Sequence, residues 1–479
     1  MRLRMNDLSL GSLYYQRLTE SQLDRLHYAT LEVLESIGVR FVEEQALDIF
    51  RKAGATVEDS VVKLPPALVE WALRTAPKHL LLYDQTGSPA IRLEGRVSYY
   101  GNGSDLLYII DHRNHERRLA KHQDVIDTMR LLHRLDNLDF VMSGFLPRDV
   151  PVEQAETLQM KAMLNYTNKP IVYVVTDFAL VKRVVEMAEV VAGGEEAFRN
   201  QPFAACYINI ANPLRHNPGS IQKLIWLSEK GLPFTYRPAL VTRGVSTPIT
   251  GAGFLVVQNA AGLAGLVLSQ LVREGAPFIR DACAGGTFDM QHMVGQQSPP
   301  EIRGFNEELL HYYGLPGFGI GGNTGAKTID AQAALEAALS LLTSTQAGAH
   351  LVHDVGYMDN GVTGSLEFLA ICDEIISWIK TYASPLIINE DTLGLADIRE
   401  VVEQDGDFLG SNNTLKHFRE DYYPRLLDRQ NYDRWLAEGG TTMRERAYEL
   451  VEEVLGEPEE TFLTEEQIGA LDEIIERDN

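Results

Sequence analysis

The chain has 479 residues, more than one ordinary domain and fewer than three usually need. With 45% hydrophobic and 23% charged residues it can bury a large core. Its 43 Lys+Arg against 67 Asp+Glu give a net charge of −24, which excludes a surface of concentrated positive charge for nucleic acid and disfavours anionic membranes.

The first residues, MRLRMNDLSLGSLYYQRL, contain no continuous apolar run, so no signal peptide is expected. The pattern in LTESQLDRLHYATLEVLESIG predicts a helix, with Thr19 and Gln22 spaced as a capping box and Gly38 as its stop. A second helix, EEQALDIFRKAG, ends at Gly54, and strand-like pieces follow at 61–64, 79–83 and 90–93. Residues 1–120, including VSYYGNGSDLLYIID, read as an α+β cap. Cys206, Cys283 and Cys372 are odd in number and far apart, so they fit free thiols in a reducing, cytoplasmic compartment rather than a disulfide framework.

From about residue 135, runs rich in β-branched and aromatic residues recur: 139–147, 169–176, 202–212, 233–242, 277–288, 316–326, 349–358 and 384–394. Their continuous hydrophobicity predicts strands covered on both faces. Segments such as FALVKRVVEMAEVVAG and GSIQKLIWLSEKG separate them with helical spacing, and Pro202, Pro233, Pro277 and Pro316 mark helix-to-strand breaks. Eight β/α units over residues 121–425 predict an eight-fold β/α (TIM) barrel of the α/β class. Between Arg243 and Arg273 no charge occurs, but interspersed amides, prolines and glycines favour a buried helix over a membrane span. Residues 426–479 read as an acidic helical tail, a solvated arm or an oligomer contact.

A barrel of this type places its active site where the strands end. The residues there are mostly aromatic and amide, with few charges. There is no His-x-His pair and no close Cys/His set, so no metal is expected to be bound by this chain. Lys327 raises the possibility of a lyase or aldolase working through a Schiff base, although Asp330 beside it would keep it charged. Tyrosines without a strong acid or base suit a methylated ammonium group, which cannot donate hydrogen bonds and is met by aromatic faces. Tyr173, Tyr207 and Tyr236 fit equally well as residues filling a barrel interior.

The stretch AGAHLVHDVGYMDNGVTGSLEFLAICDEII and the upstream GGNTGAKTIDAQAALEAAL resemble the trimethylamine–corrinoid protein methyltransferase superfamily. LEVLESIGVRF and YYGNGSDLLYIID are similar too, so the resemblance covers nearly the whole chain. It implies an eight-fold barrel that moves a methyl group from an amine to the cobalt(I) of a separate corrinoid protein. The trimethylamine enzymes carry pyrrolysine close to where Asp359 and Asn360 stand here. Its absence implies the branch that demethylates quaternary amines such as glycine betaine.

A non-catalytic methylammonium-binding protein is the other reading. The expected partners are the corrinoid protein and a small quaternary amine, with a possible homo-oligomer. Under this reading Tyr99, Tyr100, Tyr207 and Tyr357 are candidates for a cation-binding wall. Glu390, at the end of the 384–394 run, would balance the ammonium charge, while Arg237, Asn323 and His353 would hold a carboxylate. No residue is expected to act as acid, base or nucleophile.

Overall fold

The computed structural model describes residues 15–238, 242–283, 285–296 and 302–477. Seven parallel strands form one sheet: β1 (Tyr99–Asn102), β3 (Ile171–Val174), β4 (Ala204–Ile210), β5 (Phe234–Pro238), β6 (Phe278–Asp281), β7 (Gly317–Ile320) and β8 (Leu351–Val355). The order runs from β3 through β4, β5, β6, β7 and β8 to β1. Residues 140–141 act as β2 and close the ring, because Phe140 bridges Gly101 and Val141 bridges Ile171, both in parallel. A helix follows each strand in turn, from His122–Arg134 after β1 to Leu366–Tyr382 after β8. The eight-fold β/α barrel is therefore present, with a different first strand from the one the sequence pattern indicates.

The run at 384–394 is not a strand. Asn389 accepts hydrogen bonds from the backbone N–H of Asp391 and Thr392 and starts the short helix Glu390–Leu393, while Leu386, Ile387 and Ile388 lie exposed. An apolar β-branched run carries the same pattern whether a sheet or another surface covers it. The ring begins instead at Tyr99–Asn102, inside the segment read as a cap, so the barrel starts before residue 120. The tail is also different from a solvated arm. Met443–Gly456 packs along Leu366–Tyr382, and Glu465–Glu476 packs on the Val152–Tyr166 and Phe178–Ala192 helices. Val451, Leu471 and Ile474 are buried in those contacts.

Within each strand alternate residues face the ring interior. Tyr99, Phe140, Val172, Ala205, Ile279, Phe318 and Leu351 share one apolar cluster with Leu82, Ile91 and Leu93. The last three come from the antiparallel hairpin Leu80–Tyr83/Pro89–Leu93, which plugs the end where the strands begin. The opposite end, where the strands finish, stays open to the loops.

The uncharged stretch forms the helix Gly251–Val272, long and apolar enough to cross a membrane but mostly buried in the protein. It lies between the barrel and the N-terminal helix Glu20–Glu32, whose Thr19/Gln22 capping box forms as predicted. A Cβ on Gly265 would stand 2.4 Å from the ring of Tyr236, so the helix approaches β5 only because that position is glycine.

Arg280, fully buried on the outer face of β6, donates to Asn259 Oδ1 of this helix at 2.9 Å. Asn259 Nδ2 in turn donates to Thr30 Oγ1 (3.0 Å) and to Tyr313 Oη (2.8 Å). One amide thus joins the N-terminal layer, the long helix and the barrel wall. Asn259→Ala leaves a buried guanidinium with one acceptor fewer and is expected to cost about 2–3 kcal/mol; a lowered thermal midpoint with unchanged helical content at low temperature checks this.

Candidate active site

The strand ends bring together a connected set of side chains. Tyr207 on β4, Arg237 on β5, Asp281 on β6, Phe318 on β7 and His353 on β8 all occupy inward positions. Arg237 Nη1 donates to Tyr207 Oη and, at 3.1 Å, to His353 Nε2. Its Nε makes no hydrogen bond among the described residues and faces Asp281 Oδ1 at 3.7 Å. Gln258 Nε2 donates to the other oxygen of Asp281, so the carboxylate is held from behind by the long helix. The rings of Phe318 and His353 are 4.3 Å apart, and Tyr207 meets Phe318 edge-on at 5.3 Å.

The state of His353 follows from its partners. Nδ1 lies 2.6 Å from the carbonyl of Gly319, which only accepts, so Nδ1 carries the proton. Nε2 is then a lone pair, receiving Arg237. Burial, and next the Arg237 charge, hold the imidazole pKa well below its ordinary value, so the ring is neutral. Both ring nitrogens are committed.

Asp354 is the next residue, yet it faces the same side. In a regular strand it would point away. The β8–β1 register shifts between Val352 and Val355, and Asp354 takes a left-handed φ of 67°. This bulge turns Asp354 back, placing Oδ1 3.3 Å from His353 Nε2. Burial raises its pKa to about 7; the charges of Arg237 and Arg303 pull it down and that of Asp105 pushes it up. With the Nε2 lone pair already receiving Arg237, an ionised Asp354 faces it with like polarity.

Beyond β8, the backbone makes a hairpin between Tyr357–Met358 and Thr363–Gly364. Tyr357 lies buried here, donating its hydroxyl to the carbonyl of Ser104, and its ring fills the space over Gly103 that any side chain would occupy. Asn323, after β7, accepts from Arg303 Nη2 at 3.1 Å. Cys283 sits behind the cluster, and burial pushes its thiol well above the usual range, so it is a packing group and not a nucleophile. Among the described residues no three His, Cys, Asp or Glu side chains are placed to hold a metal ion.

The sequence profile of the family described as Trimethylamine methyltransferase (MTTB) matches residues 5–479. The chain belongs to this methyltransferase family. Trimethylamine methyltransferase MttB of Desulfitobacterium hafniense (strain DSM 10664 / DCB-2) is 30% identical over 463 residues, covering 96% of this chain and 93% of that protein. Glycine betaine methyltransferase of Desulfitobacterium hafniense (strain Y51) is 29% identical over 450 residues, covering 92% of each. The crystal structure of Methanosarcina barkeri monomethylamine methyltransferase (MtmB) superposes with a TM-score of 0.53 at 10% identity, covering 92% of this chain and 88% of that chain, which supports the fold alone.

Within this MTTB-family barrel the candidate residues divide. Tyr207, Arg237 and His353 form one hydrogen-bonded unit, with Tyr357 and Asn323 on the loops after β8 and β7. Tyr99 does not belong with them: it lies at the plugged end, where its hydroxyl accepts from the backbone N–H of Arg92 at 3.1 Å. Tyr100 points outward into the helical layer, with its hydroxyl 2.6 Å from Thr345 Oγ1. Glu390 is exposed on the short helix that replaces the expected strand, so it does not stand at the end of a barrel strand. Tyr173 and Tyr236 also face outward into the core. Lys327 is exposed and paired with Asp359 Oδ1 at 3.6 Å, so it lacks the burial that makes a lysine nucleophilic.

The Asp359–Asn360 turn has left-handed φ values of 52° and 56°. The backbone N–H groups of Asp359 and Asn360 donate to the carbonyls of Ala326 and Thr324. Asp359 also meets Arg117 Nη2 at 3.3 Å. The turn at which pyrrolysine is expected in the trimethylamine enzymes is thus held here by ion pairs. The sequence leaves Asp354 evenly placed between a substrate contact and a structural group bonding the glycine-rich turn, and it does not single out Arg303. Arg303 leaves no periodic signal before the Phe305–Tyr313 helix, and the bulge that turns Asp354 inward has none either.

Raising the Asp354 pKa has a definite thermodynamic sign. Between about pH 4 and pH 7 the folded chain holds a proton that the unfolded chain has lost, so stability from this group is full at low pH and declines as pH rises through about 7. Asp354→Asn keeps a residue type that tolerates the left-handed backbone. It is expected to stabilise the protein by on the order of 2 kcal/mol at pH 8 and to change little near pH 4; melting curves at the two pH values test the sign.

Proposed function

We propose that this methyltransferase takes a methyl group from a quaternary amine of the glycine betaine kind and delivers it to the cobalt(I) of a separate corrinoid protein. The observation that carries the reading is the composition of the strand ends: the rings of Tyr207, Phe318 and His353 stand with the carboxylates of Asp281 and Asp354, with no nucleophile among the described residues there. Burial raises the Asp354 carboxyl to about 7 even with Arg237 and Arg303 pulling it down, so a further cation beside it would favour the ionised form. A methylated ammonium group supplies that cation without needing a hydrogen bond, and Tyr207, Phe318 and Tyr357 offer it ring faces or edges. The relatives include enzymes of both amine kinds, and the ordinary residues at Asp359 and Asn360 support a quaternary over a tertiary amine.

The chemistry asks little of the protein beyond placement. A quaternary nitrogen leaves as a neutral tertiary amine, so no proton has to be given or taken. The corrinoid, when its carrier docks, supplies the nucleophile that accepts the methyl group. At the strand ends both nitrogens of His353 are engaged and burial holds the Cys283 thiol well above its usual range, so neither side chain is available as a metal ligand. The residues here hold the ammonium, orient one methyl towards the mouth and exclude water. Ionised Asp354, with Asp281 behind it, balances the ammonium charge. Arg237, whose Nε has no hydrogen bond among the described residues, would take the carboxylate of a betaine.

Incubation of the protein with free cob(I)alamin and glycine betaine, proline betaine, carnitine or trimethylamine tests the reading. Loss of the cob(I)alamin spectrum is expected with at least one quaternary amine and not with trimethylamine. Calorimetric binding of quaternary amines with no transfer to any of them would favour a methylammonium-binding protein instead. For the active substrate, kcat/KM is expected to rise with pH through about 7 as Asp354 ionises, and Asp354→Asn to lower it at least about tenfold (~1.4 kcal/mol) while flattening that rise.

Arg237→Met separates the carboxylate from the ammonium. KM for a betaine is expected to rise about 10–100-fold, against little change for a quaternary amine without a carboxylate. Equal losses for both would remove Arg237 from the substrate's carboxylate.

A further inference from the structure

Tyr357 is held against bare backbone. Its hydroxyl donates to the carbonyl of Ser104, its carbonyl accepts from the N–H of Thr324 at 2.9 Å, and it pairs with Gly364 in the hairpin beyond β8. A Cβ on Gly103 would stand against Cζ and Cε1 of the ring, far inside the ~3.5–4.0 Å at which carbon atoms meet. Gly103 does not have a left-handed φ, so its backbone would accept alanine; what is missing is room.

The backbone at Gly103 is fixed. Its carbonyl accepts from the backbone N–H of Gly144 and from Asn102 Nδ2, both at 2.9 Å, and the same Asn102 side chain is tied to both backbone groups of Met142 at 2.8 Å. The space towards the outer helices is closed as well. There the crevice beside the ring has about 10 Å³, the room of one water at most, between Leu106, Phe145, Val355 and Leu369. From the strand ends, Asp354 and Tyr207 lie close enough to bear on the Tyr357 hydroxyl, as does Asp105 in the loop after β1. The ring therefore stands between the backbone after β1 and the strand-end cluster, and a ring pushed off Gly103 moves towards that cluster.

We propose that Gly103 and Tyr357 together set the size limit of the substrate's ammonium group. The Tyr357 ring is the stop that the methyl-bearing head meets, and Gly103 is the positioning residue that decides how far that stop reaches into the mouth. The inference rests on the reading of the strand ends as a quaternary-amine site. An aromatic face takes N-methyl groups without a hydrogen bond, and the hydroxyl of this ring is already given to Ser104. A fixed apolar stop discriminates by bulk, at on the order of tenfold or more for each methylene that does not fit. A trimethylammonium head is the compact member of the class, and a dimethylated ring nitrogen is a bulky one.

Calorimetry with glycine betaine and proline betaine tests this, because the two share a carboxylate for Arg237 and differ in the bulk at nitrogen. Gly103→Ala is expected to weaken proline betaine at least about tenfold more than glycine betaine. Tyr357→Leu is expected to shift the ratio of the two affinities towards proline betaine. In the double variant the selective effect of Gly103→Ala should vanish, and the melting midpoint should return to that of Tyr357→Leu alone. Equal losses for both betaines in Gly103→Ala, or a selective loss that survives in the Tyr357→Leu background, would overturn the inference and leave the quaternary-amine reading standing. Wild-type protein that binds neither betaine overturns both. Should Gly103→Ala not fold, Tyr357→Leu decides alone: an unchanged ratio of affinities sinks the inference.

Discussion

Ring closure is the constraint on which the site depends. Seven strands alone would leave Tyr99–Asn102 and Ile171–Val174 as two open edges, and the inward residues of β4 and β8 would diverge with the sheet's twist. Two parallel bridges from Phe140 and Val141 join those edges. Once the ring is closed, the two-residue period of every strand points to one axis. Arg237 on β5 can then reach Tyr207 on β4 and His353 on β8 with a single nitrogen. The hairpin carrying Leu82, Ile91 and Leu93 fills one end with apolar side chains, so polar groups collect at the other.

That polar end is built at the expense of local regularity. A β-bulge turns two successive residues inward, and the second, Asp354, pairs a left-handed backbone with a carboxyl that burial keeps near half-protonation around neutral pH. A neutral imidazole locked by Gly319 and a guanidinium shared with a tyrosine complete the wall. None of these groups is poised to give or take a proton from a substrate in the usual sense. They form a fixed electrostatic frame in which the buried Arg237 charge stands between the carboxylates of Asp281 and Asp354.

Much of this was legible in the sequence, and the failures have particular causes. The recurrent β/α pattern specified the barrel, because strands covered on both faces must be continuously apolar. Tyr207, Arg237 and His353 were legible as strand-end residues of unusual type. The first strand was not, since YYGN is short and polar at its end and owes its place to pairing with β8 and β2. Tyr99 and Tyr100 were misplaced for that reason: a strand that begins at Tyr99 puts both at its start, one facing the plugged end and one facing out. LIINED misled in the opposite direction. Its apolar run has the pattern of a buried strand, but Leu386, Ile387 and Ile388 lie exposed.

That last mismatch has a general cause. An apolar run that the fold leaves exposed carries the same pattern as a buried strand, because the pattern records the residues and not the surface they meet. The helices Ala331–Gln346 and Leu366–Tyr382 follow β7 and β8, the strands that carry Phe318 and His353, and pack on each other. The first of them packs on β8 itself, where the bulge interrupts regular pairing, so helix packing and site geometry are coupled at that point of the ring.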